Sequence, residues 1–162
     1  MPKVIANHLS SEYVSEIVYG TVIGLALVVA LEAHPPPAGA TAATIVTTAI
    51  AVGLAELYSE LIGARVRRGR GAPPEPQRIG PGVGAVVAGA AFPATFFILA
   101  AAGVLELDTA FTIAKWSGLG LIALYGFWAA RLDGAPHHKA LLHGGAVALI
   151  GAFVIAVKAL VH

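Results

Sequence analysis

The sequence predicts an all-α integral membrane protein, a single bundle of five transmembrane helices that occupies residues 1–162. Three observations predict this class: 57% of the residues are apolar, only 12% are charged, and the charges fall in short zones between long apolar runs. Ordinary soluble domains are about 45–50% apolar and about 25% charged. The runs are too long and continuous for the strands of a membrane barrel, and a helix satisfies its own backbone in lipid.

Five apolar runs have the length of about 20 residues that a helix needs to cross a hydrocarbon core of about 30 Å. The predicted spans are Tyr13–Leu31, Thr41–Ile62, Val83–Leu105, Thr109–Ala130 and Leu141–Leu160.

Prolines and charges separate these spans. Pro35–Pro37 divides the first span from the second, because proline has no N–H with which to continue a helix. A proline-rich segment between residues 69 and 82 precedes the third span, which contains Pro93 and is expected to kink there. The join at Glu106–Asp108 is so short that the third and fourth spans should form a tight antiparallel hairpin, and Asp133–Pro136 precedes the fifth.

The basic residues predict a cytoplasmic N-terminus and an external C-terminus, because cytoplasmic loops carry an excess of Lys and Arg. With five spans, eight of the ten basic residues fall on one side, namely Lys3, Arg65, Arg67, Arg68, Arg70, Arg78, Arg131 and Lys139. The opposite loops hold Glu32, Glu106 and Asp108 and neither Lys nor Arg. We expect a multi-pass protein of the cell (inner) membrane of a prokaryote, with the lipid bilayer as its partner.

Composition also excludes several classes of function. A net charge of +1 provides no basic field for nucleic acid. The absence of cysteine excludes disulfide frameworks, thiolate metal sites and cysteine nucleophiles. No nucleotide-binding or hydrolase motif stands in the structural setting it needs, so the sequence does not predict an enzyme.

Carboxylates inside the predicted spans are the candidate functional residues, because ionisable groups in a membrane are costly. Glu56 and Glu60 share a face of the second span at a spacing of i, i+4, and Glu12 and Glu16 do so at the start of the first. Glu56 lies deepest, about 10 Å inside the end of its helix. Since consecutive spans run antiparallel, both pairs reach the same side of the membrane, where they would bind a divalent cation or relay a proton.

Glu56, Glu16 and Glu60 are therefore the main transport or metal candidates, and Glu12 is a weaker one. His143, at the start of the fifth span, is a second weaker candidate because it could face the second span's carboxylates. The structural alternative is that these carboxylates are interfacial and pair with basic residues of the neighbouring loops.

Small residues predict a face for close helix packing. Gly20 and Gly24 form a GxxxG motif in the first span, and Ala85 and Gly89 repeat the spacing of small residues in the third. Such motifs let two helix backbones approach each other closely. We expect Gly20 and Gly24 to form the face of a homodimer.

Three segments resemble the vacuolar iron transporter family. Residues 120–151, Gly-Leu-Ile-Ala-Leu-Tyr-Gly-Phe-Trp-Ala-Ala-Arg-Leu-Asp-Gly-Ala-Pro-His-His-Lys-Ala-Leu-Leu-His-Gly-Gly-Ala-Val-Ala-Leu-Ile-Gly, resemble the last two helices of that family. Residues 17–20, Ile-Val-Tyr-Gly, resemble the Ile-Phe-Gly opening of its first helix. Residues 53–59, Gly-Leu-Ala-Glu-Leu-Tyr-Ser, resemble its Gly-Glu-Tyr-x-Ser segment in helix two.

The resemblance implies a homodimer that exchanges a divalent metal ion, iron or manganese, for protons, with Glu56 at one of the family's positions. Much of that family's metal site is lacking, because its Asn-Asp pair falls near Thr21 and Val22. The leading hypothesis is a transporter of a divalent cation and/or protons that uses intramembrane carboxylates. The alternative is a non-transporting membrane scaffold or partner-binding protein with a degenerate site.

Overall fold

The computed structural model describes residues 11–69, 79–132 and 134–161, and these ranges contain six helices and no strand. The helices are α1 (Ser11–Glu32), α2 (Ala38–Gly69), α3 (Ile79–Ala91), α4 (Ala94–Ala101), α5 (Leu107–Leu132) and α6 (His137–Val161). The predicted all-α class is confirmed.

Three of these helices contain a stretch long and apolar enough to cross a membrane, namely Val14–Glu32, Ala38–Val66 and Leu107–Arg131. The pair α3 and α4 meets the same criterion together, although a bend of 44° separates the two helices. The described residues therefore provide three candidate membrane-spanning helices, or four when the bent pair counts as one span. The predicted fifth span falls on α6, and the count of five and the orientation of the termini stay predictions.

The predicted third span is two helices rather than the single helix Val83–Leu105, because Pro93 interrupts it. Proline removes the N–H that would bond to the carbonyl of Gly89, four residues earlier. A tighter turn continues the chain: the N–H of Thr95 donates to the carbonyl of Phe92 at 3.3 Å, and the Thr95 hydroxyl donates to the same oxygen at 2.8 Å. The kink expected at Pro93 is confirmed, and it is a complete break of the helix.

The end of α4 is set by Gly103, whose φ of 77° ends the helix in the left-handed region that favours glycine. The N–H of Gly103 donates to the carbonyl of Ala100 at 3.0 Å, and the N–H of Val104 donates to that of Leu99 at 2.9 Å. The chain then enters α5 after a short connection, and α4 packs against α5. The predicted tight hairpin is therefore confirmed, although its first helix is α4 alone.

The apolar core joins α1, α2, α4 and α5. Its buried members are Val28, Ala42, Ile45, Ala94, Phe97, Ala110, Phe111 and Ala114. The rings of Phe97 and Phe111 meet edge to face, with their centroids 4.7 Å apart. A second cluster of Leu25, Val29 and Ile122 packs α1 against the middle of α5.

Large apolar side chains also cover the outer surface of the bundle. The exposed ones on α2, α5 and α6 include Ile50, Leu54, Tyr58, Trp116, Leu124, Leu141, Leu142, Leu149 and Phe153. An outer surface of this composition suits contact with lipid. Lipid tails are as apolar as these side chains, so there is no hydrophobic driving force to bury them inside the bundle. The apolar helices and their exposed side chains indicate a membrane-associated protein.

A very close contact joins α1 and α3, backbone to backbone. A Cβ atom at Gly20 would collide with the carbonyl oxygen of Val86, and one at Gly24 would lie 2.7 Å from the carbonyl oxygen of Ala90. Both glycines are buried. The GxxxG face is thus occupied by a helix of the same chain, and it is not the open surface that the sequence analysis assigned to a homodimer.

The contact is reciprocal, because α3 also presents a glycine to α1. A Cβ atom at Gly89 would lie 2.5 Å from the carbonyl oxygen of Ile17 and 2.9 Å from the backbone nitrogen of Thr21. The two small-residue motifs of the sequence therefore pack against each other within one chain. Neither backbone can give way without moving its whole helix.

We expect Gly89→Ala to lower the free energy of unfolding by about 1–3 kcal/mol, the usual cost of overpacking. The matched control is Gly84→Ala in the same helix, where an added Cβ would meet nothing within 4 Å. That change should be neutral or stabilising by up to about 1 kcal/mol, because alanine loses less backbone entropy than glycine. Thermal unfolding of both variants in detergent measures the difference, and equal stabilities would contradict the close contact.

Candidate functional site

Glu16 is a candidate carboxylate with a carboxyl oxygen that the structure buries. Its Oε2 atom is buried. A Cβ atom at Gly82 would lie 2.5 Å from this oxygen, so the carboxyl group lies directly over the backbone of α3. Glycine at position 82 leaves the space that the carboxyl group occupies.

Gly82 is the fourth residue of α3, so the carboxyl group of Glu16 lies at the first turn of that helix. The first N–H groups of a helix have no partner within it, and the helix dipole makes this end positive. Both effects favour a carboxylate there. The position of Glu16 therefore has an electrostatic reason that does not require a metal ion.

A second polar side chain, Thr21, lies in the same interface between α1 and α3. Thr21 is 1% exposed, and its hydroxyl donates to the carbonyl of Ile17 at 2.7 Å. Its Oγ1 would lie 3.1 Å from a Cβ atom at Gly89. The carbonyl of Gly89 has no helical N–H donor, because the residue four positions later is Pro93. Sequence analysis did not select Thr21, although a hydroxyl next to a GxxxG motif was the available signal.

Glu56 and Glu60 lie on α2 and are partly buried. The main neighbours of α2 are α3 and α4, and its Gly53 lies against the side chain of Val87. Glu16 instead meets α3 from α1. Among the residues that the structure describes, no three His, Asp or Glu side chains are grouped closely enough to hold a metal ion.

The two weaker candidates cannot be placed by their side chains. Glu12 lies in the first turn of α1 and His143 in the first half of α6, but both side chains lie outside the described part of the structure. The backbone of α6 packs on α5 and α1, whereas Glu56 and Glu60 belong to α2. The predicted proximity of His143 to those carboxylates stays a prediction.

An ion pair that sequence analysis did not predict joins the other end of α1 to α5. Nζ of Lys115 lies 2.6 Å from Oε1 of Glu32, and the side chains are 23% and 37% exposed, respectively. Glu32 is the last residue of α1, where the helix dipole also favours a nearby cation. The signal was a lysine within a predicted span, which needs a partner or a route to the membrane surface.

We expect Lys115→Met and Glu32→Gln each to destabilise the protein, and the double variant to be more stable than the sum of the two losses predicts. Each single change leaves one partly buried charge without its partner, whereas the double change removes both charges. A double-mutant cycle of thermal or denaturant unfolding should give a coupling of about 1 kcal/mol, within the range for contacting residues. Strict additivity would mean that the pair makes no net contribution.

Comparison with known protein families, with characterised proteins and with solved structures finds no match to this chain. The resemblance to vacuolar iron transporters therefore rests on the segments that carry it and remains a prediction.

Proposed function

We propose that the protein is a small multi-pass transporter that moves protons across the membrane, alone or in exchange for a divalent cation, with Glu16 as the proton-carrying group. The observation that carries this proposal is the buried carboxyl oxygen of Glu16 at the first turn of a broken, apolar helix. Intramembrane carboxylates that face the interior of a bundle are typical of proton pathways.

The surroundings of Glu16 suit both protonation states, as a proton carrier requires. The anion is favoured by the positive end of α3. The neutral acid is favoured by the low polarity of the span Val14–Glu32, in which Glu16 lies. A group for which neither state is prohibitive can take up and release a proton as the environment changes.

The break between α3 and α4 supports the same function. Discontinuous helices near the middle of the membrane are a recurring feature of secondary transporters, because they expose helix ends to a substrate or ion. Here the break at Pro93 follows Gly89, which contacts Thr21 on α1. A change in the bend of 44° would therefore move α3 directly against the segment that carries Glu16 and Thr21.

Glu56 and Glu60 enter this proposal as the carboxylates that would bind an exchanged cation from the α2 side. Both are partly buried and lie where α2 leaves the hydrocarbon, so they would bind the cation at the end of the span. The resemblance to vacuolar iron transporters makes iron or manganese the first ions to test. Protons need only one titratable group, so the proton function does not depend on these two residues.

We also propose that α6 is the fifth span, with the N-terminus in the cytoplasm and the C-terminus outside. The support is the absence of charged residues between Lys139 and Lys158, together with the 25-residue length of α6. A helix of about 20 residues is enough to span the membrane. The basic residues then fall predominantly on one side.

Topology reporters test this arrangement. Reporters fused after Arg70 and after Ala135 should read cytoplasmic, and reporters after Pro36 and at the C-terminus should read external. The reason is the accumulation of Lys and Arg in cytoplasmic loops. A cytoplasmic C-terminus would show that the number of spans is even.

Proteoliposome flux measurements test the function itself. We expect Glu16→Gln to abolish proton movement, because the amide keeps the size of the side chain but cannot carry a proton. Glu56→Gln and Glu60→Gln should leave proton movement in place and reduce any coupled flux of iron or manganese. The control is Glu106→Gln, an exposed carboxylate in the connection before α5, which should change neither flux.

A non-transporting membrane scaffold is the second candidate, and the close α1–α3 contact favours it because that contact leaves little room for a polar path. In that case no variant would change ion flux, since the wild-type protein would have none. Glu16→Gln would then lower only thermal stability, because the first turn of α3 loses its anion. Wild-type flux above that of empty vesicles would reject the scaffold.

A further inference from the structure

The helix α2 is much longer than a membrane crossing requires. Its 32 residues rise about 48 Å at 1.5 Å per residue, against a hydrocarbon core of about 30 Å. The segment Ala38–Leu57, which begins the helix and carries Glu56 as its first charge, is long enough to span that core. Residues 58–69 therefore continue beyond it.

The neighbouring helix does not follow α2 over this distance. Ala42 and Ile45, near the start of α2, pack in the same core cluster as residues of α4. Gly53, further along α2, lies against Val83 and Val87 of α3, which precedes α4. The helix α2 therefore runs antiparallel to α3 and α4. Since α3 begins at Ile79, four residues before Val83 and eight before Val87, its start lies near the level of residues 57–61. The last eight to twelve residues of α2 thus project about 12–18 Å past α3.

This projecting segment, residues 58–69, is called the α2 extension below. It combines exposed apolar side chains with basic ones: Tyr58, Leu61, Ile62 and Val66 are exposed, as is Arg65, and Arg67 and Arg68 follow in the sequence. With Glu60 as its acidic residue, the extension has a formal charge of +2. Such a composition is typical of helices that lie in the headgroup region of a bilayer.

We propose that the α2 extension is a binding site for the anionic phospholipid headgroups of the membrane in which the protein sits. Its apolar side chains would enter the boundary between headgroups and acyl chains, which removes them from water. Arg65 lies eight residues past Leu57, about 12 Å along the helix axis, and its exposed, long side chain would reach back toward the phosphates. Guanidinium groups bind phosphate oxygens through paired, charge-assisted hydrogen bonds.

Charge decides between a lipid surface and a second copy of this chain as the occupant. A parallel copy of α2 would bring the arginines at 65, 67 and 68 next to the same arginines of its neighbour. Like charges so close together oppose association, whereas an anionic surface attracts each of them. Charge complementarity therefore favours anionic lipid.

A site-specific fluorophore tests the proposal on the full chain. Because the sequence has no cysteine, Val66→Cys gives one labelling site in the extension, and Val104→Cys gives a control site in another exposed valine, between α4 and α5. Each protein is labelled with a polarity-sensitive dye and reconstituted in phosphatidylcholine vesicles that contain increasing fractions of phosphatidylglycerol. We expect a blue shift with phosphatidylglycerol at position 66 and none at position 104.

Substitution of the arginines identifies the cause of this shift. With Arg65, Arg67 and Arg68 all changed to Gln, the shift at position 66 should fall to less than about one fifth of its original size. The reason is that a single basic residue near an anionic surface strengthens binding about fivefold. The same three positions changed to Lys should keep most of it. High salt should suppress the shift in the unsubstituted protein, which supplies a test that needs no charge variant.

Three results would overturn the proposal. One is a spectrum at position 66 that is the same with and without phosphatidylglycerol. Another is a shift that persists after the Gln substitutions and in high salt. The third is a shift that follows the protein-to-lipid ratio instead of the phosphatidylglycerol fraction, which would assign the surface to a second copy. None of these results depends on whether the protein transports protons.

Discussion

The backbone contact between α1 and α3 is the constraint on which the rest of the structure depends. Gly20 and Gly24 on one helix and Gly89 on the other have no side chains, so the two helices meet through their main chains. In lipid, where apolar burial gives little driving force between helices, such close packing is a principal source of association. The contact sets the axial position of α3 against α1, and every feature of the candidate site follows from that register.

The first consequence is the position of Glu16. One turn before Gly20 on α1, its carboxyl group reaches the first turn of α3 over Gly82. The helix end stabilises a negative charge that the membrane would otherwise disfavour. The same register brings Thr21 against Gly89, one turn before the break at Pro93, whereas Glu16 lies at the opposite end of α3. Three glycines thus place a carboxylate at the start of α3 and a buried hydroxyl near its end.

The second consequence concerns the remaining helices. The break at Pro93 turns α4 away from the direction of α3 and into the core, where Phe97 packs edge to face with Phe111 of α5. At the far end of α1, Glu32 pairs with Lys115 of the same helix α5. α1 is therefore held to α3 by backbone contact and to α5 by apolar packing and an ion pair. α2 is packed along α3 and α4 for only part of its length, and its last eight to twelve residues extend past the start of α3.

The sequence by itself determined the all-α class, the approximate positions of the apolar helices and a kink at Pro93. The helices follow from the local composition of the apolar runs, and the kink follows from the N–H that Pro93 lacks. Each of these features belongs to a single segment of the sequence. It also identified Glu16, Glu56 and Glu60 as costly charges. Only the tertiary structure decided which of them meets α3, that Gly20 and Gly24 face a helix of their own chain, and that Lys115 pairs with Glu32. A small-residue motif specifies a close approach but not the identity of the partner helix, and the two members of an ion pair separated by 83 positions carry no local signal of each other.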